Sequence, residues 1–562
     1  MNMLEWVINR SYALGADFFY KKFVKDTVKA GDVNRSVLTE ILKGNSKTVY
    51  GCLYKFEDIR DVADYKRLVP LTSYSDYENY VEEIAAGQEN VLTVDEIQYF
   101  GLSSGTTGKQ KRIPTTAKTK KMMNMSMMFL QHGALSQALP AARTGGKGLL
   151  LMNMLQSGNT PVGIPTGSGT SGGMQSMKKM LRYFWTSPLE VLAIKDQQVA
   201  NYLHLLFALR ERDLAYLMSP FPSGIVQLFS VLEKQWPELL SDLAKGTISP
   251  QLTLNTEVRE QLKDLLKPDP LRAKELEQEL RKGMQGIAQR VWPKISYVSC
   301  VVGGSFGIYL DRLRYYIGNL PIFSAIYGAT EALIGIATHV NDVSYVVTPR
   351  SAYFEFIPLQ ESDDLNPTTF DLDELNVGEM YEVVVTNYSG FYRYRMGDVI
   401  KVVGHSHQSP VIEFMYRKGQ LLNLAAEKTS EQAVQYALGA TTKAVGTILE
   451  DYTVTLEVDD VVGHYLFYME VDEPLITPAK ALEMRNTLEQ CLREANPRYL
   501  AGVKAKRINE VDIHFVRTGT FQTLKQELLK RGASLNQVKI PRLIQDPSLI
   551  KLLEKNTIDW SF

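Results

Sequence analysis

A chain of 562 residues exceeds the size at which one hydrophobic core stops growing, so two or more domains are expected. Hydrophobic residues at 45% and charged residues at 22% are ordinary for a globular protein, and a net charge of -1 gives no reason to collect on nucleic acid or anionic lipid. Cys52, Cys300 and Cys491 lie far apart, which fits neither a disulfide framework nor a zinc cluster and suits a reducing interior.

In chain order, the opening residues to about Asp95 mix apolar and charged positions near helical spacing and are predicted to be helices with short links. Trp6, Val7 and Ile8 are interrupted by Asn9 and Arg10, so an amphipathic helix is expected rather than a signal-peptide core. From Gly101 to Thr170 glycine- and hydroxyl-rich loops separate apolar runs, and such loops at strand ends are where α/β folds put their ligands. The most apolar run, Gly148 to Leu155, is too short to cross a bilayer and predicts a buried strand. The expected address is cytoplasmic, with no membrane partner.

Helices are predicted again from Gln198 to Gln285, and strands at Ile295 to Val302, Ser344 to Thr348, Met380 to Thr386, Val399 to Val403 and Val411 to Tyr416. After Thr429 the order is helix, two strands, a helix from Pro478 to Glu494, a strand near Val511 to Val516 and a terminal helix. The expectation is therefore α/β: a large N-terminal domain (1–416), a hinge (417–429) and a smaller α+β C-terminal domain (430–562).

The strongest local signal is Ser103-Ser104-Gly105-Thr106-Thr107-Gly108-Lys109-Gln110-Lys111. Glycines let the backbone approach a polyanion, successive N–H groups form an anion-holding nest, and Lys111 supplies compensating charge. A P-loop needs glycine at Ser103 and Ser or Thr at Gln110, so that motif is excluded. Gly167-Ser168-Gly169-Thr170-Ser171-Gly172 has dinucleotide spacing, but its apolar run ends too early, and it reads as a cover loop. A flexible turn is the plain alternative for 103–111. The basic cluster from Lys109 to Lys121 lacks interleaved aromatics and reads as a solvated face, so no nucleic-acid partner is expected.

That loop resembles the nucleotide loop of adenylate-forming enzymes, and Tyr327-Gly328-Ala329-Thr330-Glu331 and Tyr394-Arg395-Met396-Gly397-Asp398 resemble that group's second and third motifs, in the right order. Three further segments are similar to the auxin-responsive family of acyl acid amido synthetases: 391–399, Glu427-Lys428-Thr429-Ser430-Glu431, and the tail 531–542 that ends Lys539-Ile540-Pro541-Arg542. One residue fewer in the first loop than plant members carry points to a bacterial-type member.

The resemblance implies an ATP-dependent ligase. It adenylates a small carboxylic acid, releasing pyrophosphate, then passes the acyl group to an amino acid with loss of AMP; the alternatives are thioester formation with coenzyme A or a nucleotide sensor without catalysis. It also implies the roles. Ser103, Ser104, Thr106 and Thr107 hold phosphate with Lys111 assisting, and Glu331 holds Mg²⁺. Thr330 contacts the α-phosphate, Tyr327 flanks the adenine beside Gly328, Gly303 and Gly304 pass beneath the purine, and Asp398 takes the ribose diol. Arg417, Lys428 and above all Lys539 approach ribose or phosphate as a mobile C-terminal domain changes pose.

The plain alternatives are a helix cap for Glu331 and a turn pairing with Arg395 for Asp398. His405 and His407 are expected in a polar turn rather than a metal site. The run Met122, Met123, Met125, Met127, Met128 predicts helix packing, with an adaptable acid pocket as the alternative. Phe221, Tyr353 and Phe354 are the candidate pocket aromatics. The identity of the acid, the acceptor, the base for the second step and the oligomeric state are not legible.

Overall fold

In a computed structural model of the chain, the described residues are 3–558 except 105–109, 153–157, 168–180, 304–305, 307–308, 419–421, 423, 425–426, 428, 460–461, 473–475, 506–507 and 532–537. They form two compact units, Met1–Val302 with Leu313–Phe414, and Gly303–Arg312 with Met415–Phe562. The chain thus leaves the first unit for a short segment and returns to it well before the second unit begins in earnest.

The first unit opens with helices, among them Met3–Val28, Ala30–Asn45, Val62–Leu68 and Tyr74–Ala85. Their starts follow local chemistry: the Asp61 carboxylate accepts from the backbone N–H of Asp64, and Ser73 and Asp76 form a reciprocal capping box. The first strands are β1 (Ile97–Ser104), β2 (Gln110–Thr116), β3 (Gly148–Leu150), β4 (Gly158–Asn159), β5 (Pro165–Gly167), β6 (Tyr216–Met218), β7 (Tyr297–Ser299) and β8 (Ile322–Phe323). One sheet runs β2-β1-β5-β4; the other, β3-β6-β7-β8, is parallel throughout. Leu149, Leu150, Val298 and Ile322 are buried, as a parallel sheet covered on both faces demands. Among the helices beside it, Pro222–Lys245 kinks at Gln235, two residues before Pro237, whose ring cannot continue the ladder.

The remaining strands of this unit are β9 (Ile326–Gly328), β10 (Leu333–Ile336), β11 (Ser344–Val347), β12 (Tyr353–Pro358), β13 (Phe370–Asp371), β14 (Met380–Thr386), β15 (Tyr394–Ser406) and β16 (Ser409–Arg417). They form one sheet in the order β13-β12-β14-β15-β16-β11-β10-β9. β15 begins at Tyr394, five residues before the strand expected at Val399, because a bulge interrupts its pairing with β14: Glu382 faces Val399 while Val384 faces Arg395. Gly397 sits in that bulge with φ +76°, a conformation that favours glycine. His405 and His407 lie at the β15–β16 turn, where His407 Nδ1 is 3.0 Å from Thr27 Oγ1. No cluster of three or more His, Cys, Asp or Glu suited to a metal occurs among the described residues, and no helix there is long and apolar enough to cross a membrane.

The second unit contains β17 (Leu449–Asp459), β18 (Val462–Val471) and β19 (Asp512–Val516), with β17 antiparallel and β19 parallel to β18. Alternation along β18 sends Tyr465, Phe467 and Met469 toward helices Glu431–Val445 and Pro478–Ala495, and Leu466 and Tyr468 toward Thr520–Lys530 and Pro547–Lys555. This is the α+β arrangement expected of the C-terminal part.

Candidate active site

The described ends of the first motif lie on two antiparallel strands. β1 and β2 pair from Phe100–Pro114 to Ser104–Gln110, and Lys111 lies opposite Ser103, while 105–109 fall outside the described residues. Thr106 and Thr107 fall outside the described residues, and only the backbone of Ser103 and Ser104 is described. Lys111 Nζ stands 3.5 Å from the Tyr394 hydroxyl and 5.3 Å from the centre of the Tyr74 ring.

The second motif is a hairpin turn. Ala329 N–H donates to the Ala332 carbonyl, which folds Thr330 and Glu331 over between β9 and β10. No helix starts there, so Glu331 is not a helix cap. Glu331 is 7% exposed, and its backbone carbonyl is held by Asn387 Nδ2 at 2.9 Å. Gly328 is exposed at the end of β9.

The third motif lies on β15, where the bulge at Gly397 re-aims Asp398. Asp398 is 3% exposed and accepts a 2.9 Å hydrogen bond from the Tyr327 hydroxyl. Arg395 does not pair with it; that guanidinium goes to Glu382 instead, at 2.5 Å. β15 and β9 stand four strand spacings apart in the sheet order, about 19 Å if the sheet were flat. A tyrosine and an aspartate cannot span that, so the sheet curls and brings its β9 edge back over β15. The Tyr327 ring fills the fold of that curl against Tyr345 and Phe414, at 5.7 and 5.6 Å.

The three motifs therefore converge by pairs. Motif one meets motif three through Lys111 and Tyr394, motif two meets motif three through Tyr327 and Asp398, and strand β1, two residues ahead of motif one, meets motif two at Gly101. A Cβ on Gly101 lies 2.3 Å from Thr330 Cγ2, so β1 touches the Thr330 turn only because residue 101 has no side chain. Gly101→Ala is expected to force these segments apart, costing about 1–3 kcal/mol of stability. Nucleotide-dependent activity is expected to fall further than that loss explains; thermal melts beside pyrophosphate exchange measure both.

In the second unit, Lys539 Nζ lies over the Phe306 ring at 4.7 Å, three residues beyond Gly303. The Tyr309 hydroxyl donates to Asp451 Oδ2 at 2.8 Å, and Arg542 Nη1 reaches Asp451 Oδ1 at 2.5 Å. Burial and this guanidinium act in opposite directions on Asp451, and the carboxyl ends below its usual range. Arg417 ends β16; Gly304 and Lys428 fall outside the described residues.

A cavity of about 110 Å³ opens at the carboxyl ends of the parallel strands, lined by Leu150, Met218, Ser299 and Phe323 from β3, β6, β7 and β8. Apolar cavities of about 150 Å³ accept a benzene-sized guest. Phe323 lies four residues before Tyr327, the first residue of the second motif. A helical face supplies another wall: Asn124, Met127, Met128, Gln131, His132 and Leu135.

Met127 and Met128 thus line a pocket, against the expected helix packing, while Met122 and Met123 do pack on the core. Phe221, Tyr353 and Phe354 are not among the lining residues; Tyr353 and Phe354 sit in the core of the large sheet on β12. Burial pushes the His132 imidazole down to about 4, so it is neutral near pH 7. Its spacing pattern, an i, i+3, i+4, i+7 face of methionine and uncharged polar residues, was the signal in the sequence that could have located this wall.

Comparison with known proteins shows the family. Residues 19–322 match the GH3 family N-terminal domain, 345–417 its central domain and 431–548 its C-terminal domain. The chain is 31% identical to indole-3-acetic acid-amido synthetase GH3.6 of Arabidopsis thaliana over 96% of this chain and 93% of that protein. It is 30% identical to jasmonoyl–L-amino acid synthetase JAR4 of Nicotiana attenuata over 100% and 99%. The solved GH3.15 acyl acid amido synthetase superposes with a TM-score of 0.85 at 29% identity, covering 95% of each chain. The chain belongs to the GH3 family, as an acyl acid amido synthetase that forms an acyl-adenylate and then an amide.

Proposed function

We propose that the converged segments grip ATP and that the cavity takes the body of the carboxylic acid. The observation that carries this reading is the pairwise meeting of three motif segments far apart in sequence, at Gly101–Thr330, Lys111–Tyr394 and Tyr327–Asp398. A carboxylate is a poor acyl donor, and activating it means bringing a second anion, the α-phosphate, into line with it. Backbone N–H groups of the glycine-rich run 103–108 and the Lys111 ammonium are assigned to offset that charge. Asp398 accepts from the ribose diol, and Tyr327 works through it by fixing the carboxylate's orientation.

Glu331 offers one buried carboxylate on a pinned turn. Mg²⁺ beside a nucleotide takes one or two carboxylates together with phosphate oxygens, so this donor set fits the ion, which supplies charge compensation when bound. The acid's oxygen attacks the α-phosphorus as the bond to pyrophosphate breaks. The amino acid's ammonium group first loses a proton to solvent or base, its nitrogen then attacks the acyl carbon, the bond to AMP breaks, and a second proton leaves the nitrogen as the amide forms.

Residues 430–562 act as a cap that moves about the 417–429 hinge, with Lys539, Arg417 and Lys428 serving the phosphate or ribose in the adenylating pose. Gly303 and Gly304 are assigned the floor beneath the purine.

The described cavity wall carries no formal charge, since His132 is neutral near pH 7. That favours acids whose only charge is the reacting carboxylate, because a second buried charge without a partner is costly. The test is acid-dependent pyrophosphate exchange over a panel of mono- and dicarboxylic acids, followed by product analysis with amino acids or coenzyme A. Exchange with monocarboxylic acids and amide products are expected. Equal exchange with dicarboxylic acids overturns the pocket reading, and thioester as the sole product overturns the assigned second step.

A further inference from the structure

The cavity has one wall that comes from the far end of the chain. Asn9 and Tyr12 of helix Met3–Val28 line it together with the 124–135 face. That second helix is not uniform. Ala117–Met125 and Gln131–Ala138 are α-helical, but Ser126–Leu130 between them is a π-turn, in which Gln131 N–H donates to the Ser126 carbonyl five residues back.

A π-turn breaks the regular ladder, and such turns persist where neighbouring groups satisfy the backbone they displace. Here the neighbour is Tyr12, whose hydroxyl donates to the Met128 carbonyl at 2.5 Å. Its ring lies 5.5 Å from Phe129, 4.8 Å from His132 and 4.9 Å from Phe184. The two helices approach closely at glycines: a Cβ on Gly15 would stand 2.8 Å from Phe129 Cε1, and one on Gly133 2.4 Å from the Ala16 carbonyl. Burial pushes the Tyr12 phenol well above its ordinary value, so it remains a donor at every working pH.

We infer that Tyr12 is a specificity-determining residue: by bonding the Met128 carbonyl it fixes the π-turn, and the π-turn fixes how far Met127 and Met128 reach into the acid pocket. Tyr12 touches no reacting atom; it is a positioning residue, and this role rests on the reading of the cavity as the acid site. Met side chains adapt to different guests, so the backbone beneath them, rather than their own shape, sets the limit of the cavity. Loss of the hydroxyl lets the turn relax toward a regular α-helix and shifts both methionines along the wall.

The test uses the full chain and measures pyrophosphate exchange with benzoate, indole-3-acetate and decanoate for the wild type, Tyr12→Phe and Met128→Trp, with thermal melts alongside. Tyr12→Phe keeps the ring and removes one buried hydrogen bond. It is expected to raise KM for the preferred acid by about tenfold, to change the kcat/KM ratio between acids by several-fold, and to leave KM for ATP unaltered. A ratio that stays at the wild-type value while the protein remains folded overturns the inference.

Met128→Trp fills the cavity and keeps the carbonyl that accepts from Tyr12. If it leaves every acid's KM unchanged, the cavity is not the acid site and both readings fall. If it raises KM while Tyr12→Phe behaves as wild type, the pocket stands and the role of Tyr12 alone is overturned.

Discussion

Glu331→Gln is expected to lower acid-dependent pyrophosphate exchange by about a hundred- to a thousandfold, the scale of losing one preorganised charge-stabilising group in a water-poor site. The argument starts from the turn. The backbone of Thr330 and Glu331 is set by the Ala329–Ala332 hydrogen bond and by Asn387 on the Glu331 carbonyl. Glutamine has the same length but no charge, so the variant removes the negative charge assigned to the metal; thermal melts alongside measure any loss of fold. Raising Mg²⁺ should recover part of the exchange, because a weakened ligand set is compensated by mass action. Wild-type exchange in this variant would show that another residue carries the role. Asp398→Asn serves as the companion: its expected effect falls on KM for ATP, through the ribose, rather than on the dependence on Mg²⁺.

The largest effect on stability is expected at Glu355, which touches none of the nucleotide motifs. Glu355 on β12 is 1% exposed, and its carboxylate takes Arg393 Nε at 3.1–3.2 Å and Nη2 at 2.9 Å. Arg393 also donates to the Lys66 and Val69 carbonyls at 2.7 and 2.8 Å, tying an N-terminal helix to the turn before β15. Its own backbone is left-handed, with φ 47°. Glu355→Ala strands that guanidinium without its counter-charge, and breaking a buried pair from one side costs about 3–5 kcal/mol. Denaturant unfolding of the first unit is expected to show that loss, and nucleotide affinity to fall with it, since Tyr394 is the next residue along. An effect below 1 kcal/mol would mean that water reaches the pair.

The sequence was informative where chemistry demands particular residue types in a short run. The three motif segments are legible as short runs of particular residue types, and the family they point to is the one the chain belongs to. Element types were also legible along most of the chain, since periodicity of apolar residues follows burial. Convergence was not. The curl that carries Tyr327 to Asp398 arises from twist accumulated over several strands, which no local pattern encodes.

The same limit hid the pocket. Asn9 and Tyr12 read as ordinary positions of an amphipathic helix, and only the fold sets them beside Met128. Arg393 was visible as part of a family segment, yet nothing in its neighbours announces that its partner is Glu355, 38 residues earlier.

Residues 303–312 have a practical consequence for dissecting the enzyme. Because that excursion supplies Phe306 under Lys539 and Tyr309 to Asp451, the C-terminal body cannot be excised as one continuous piece of chain. A fragment beginning at Met415 loses both the phenol that shares the Asp451 carboxylate with Arg542 and the aromatic ring on which the tail lysine sits. Domain exchange between relatives must therefore carry two separate stretches of sequence, or graft a body with a hole in its interior.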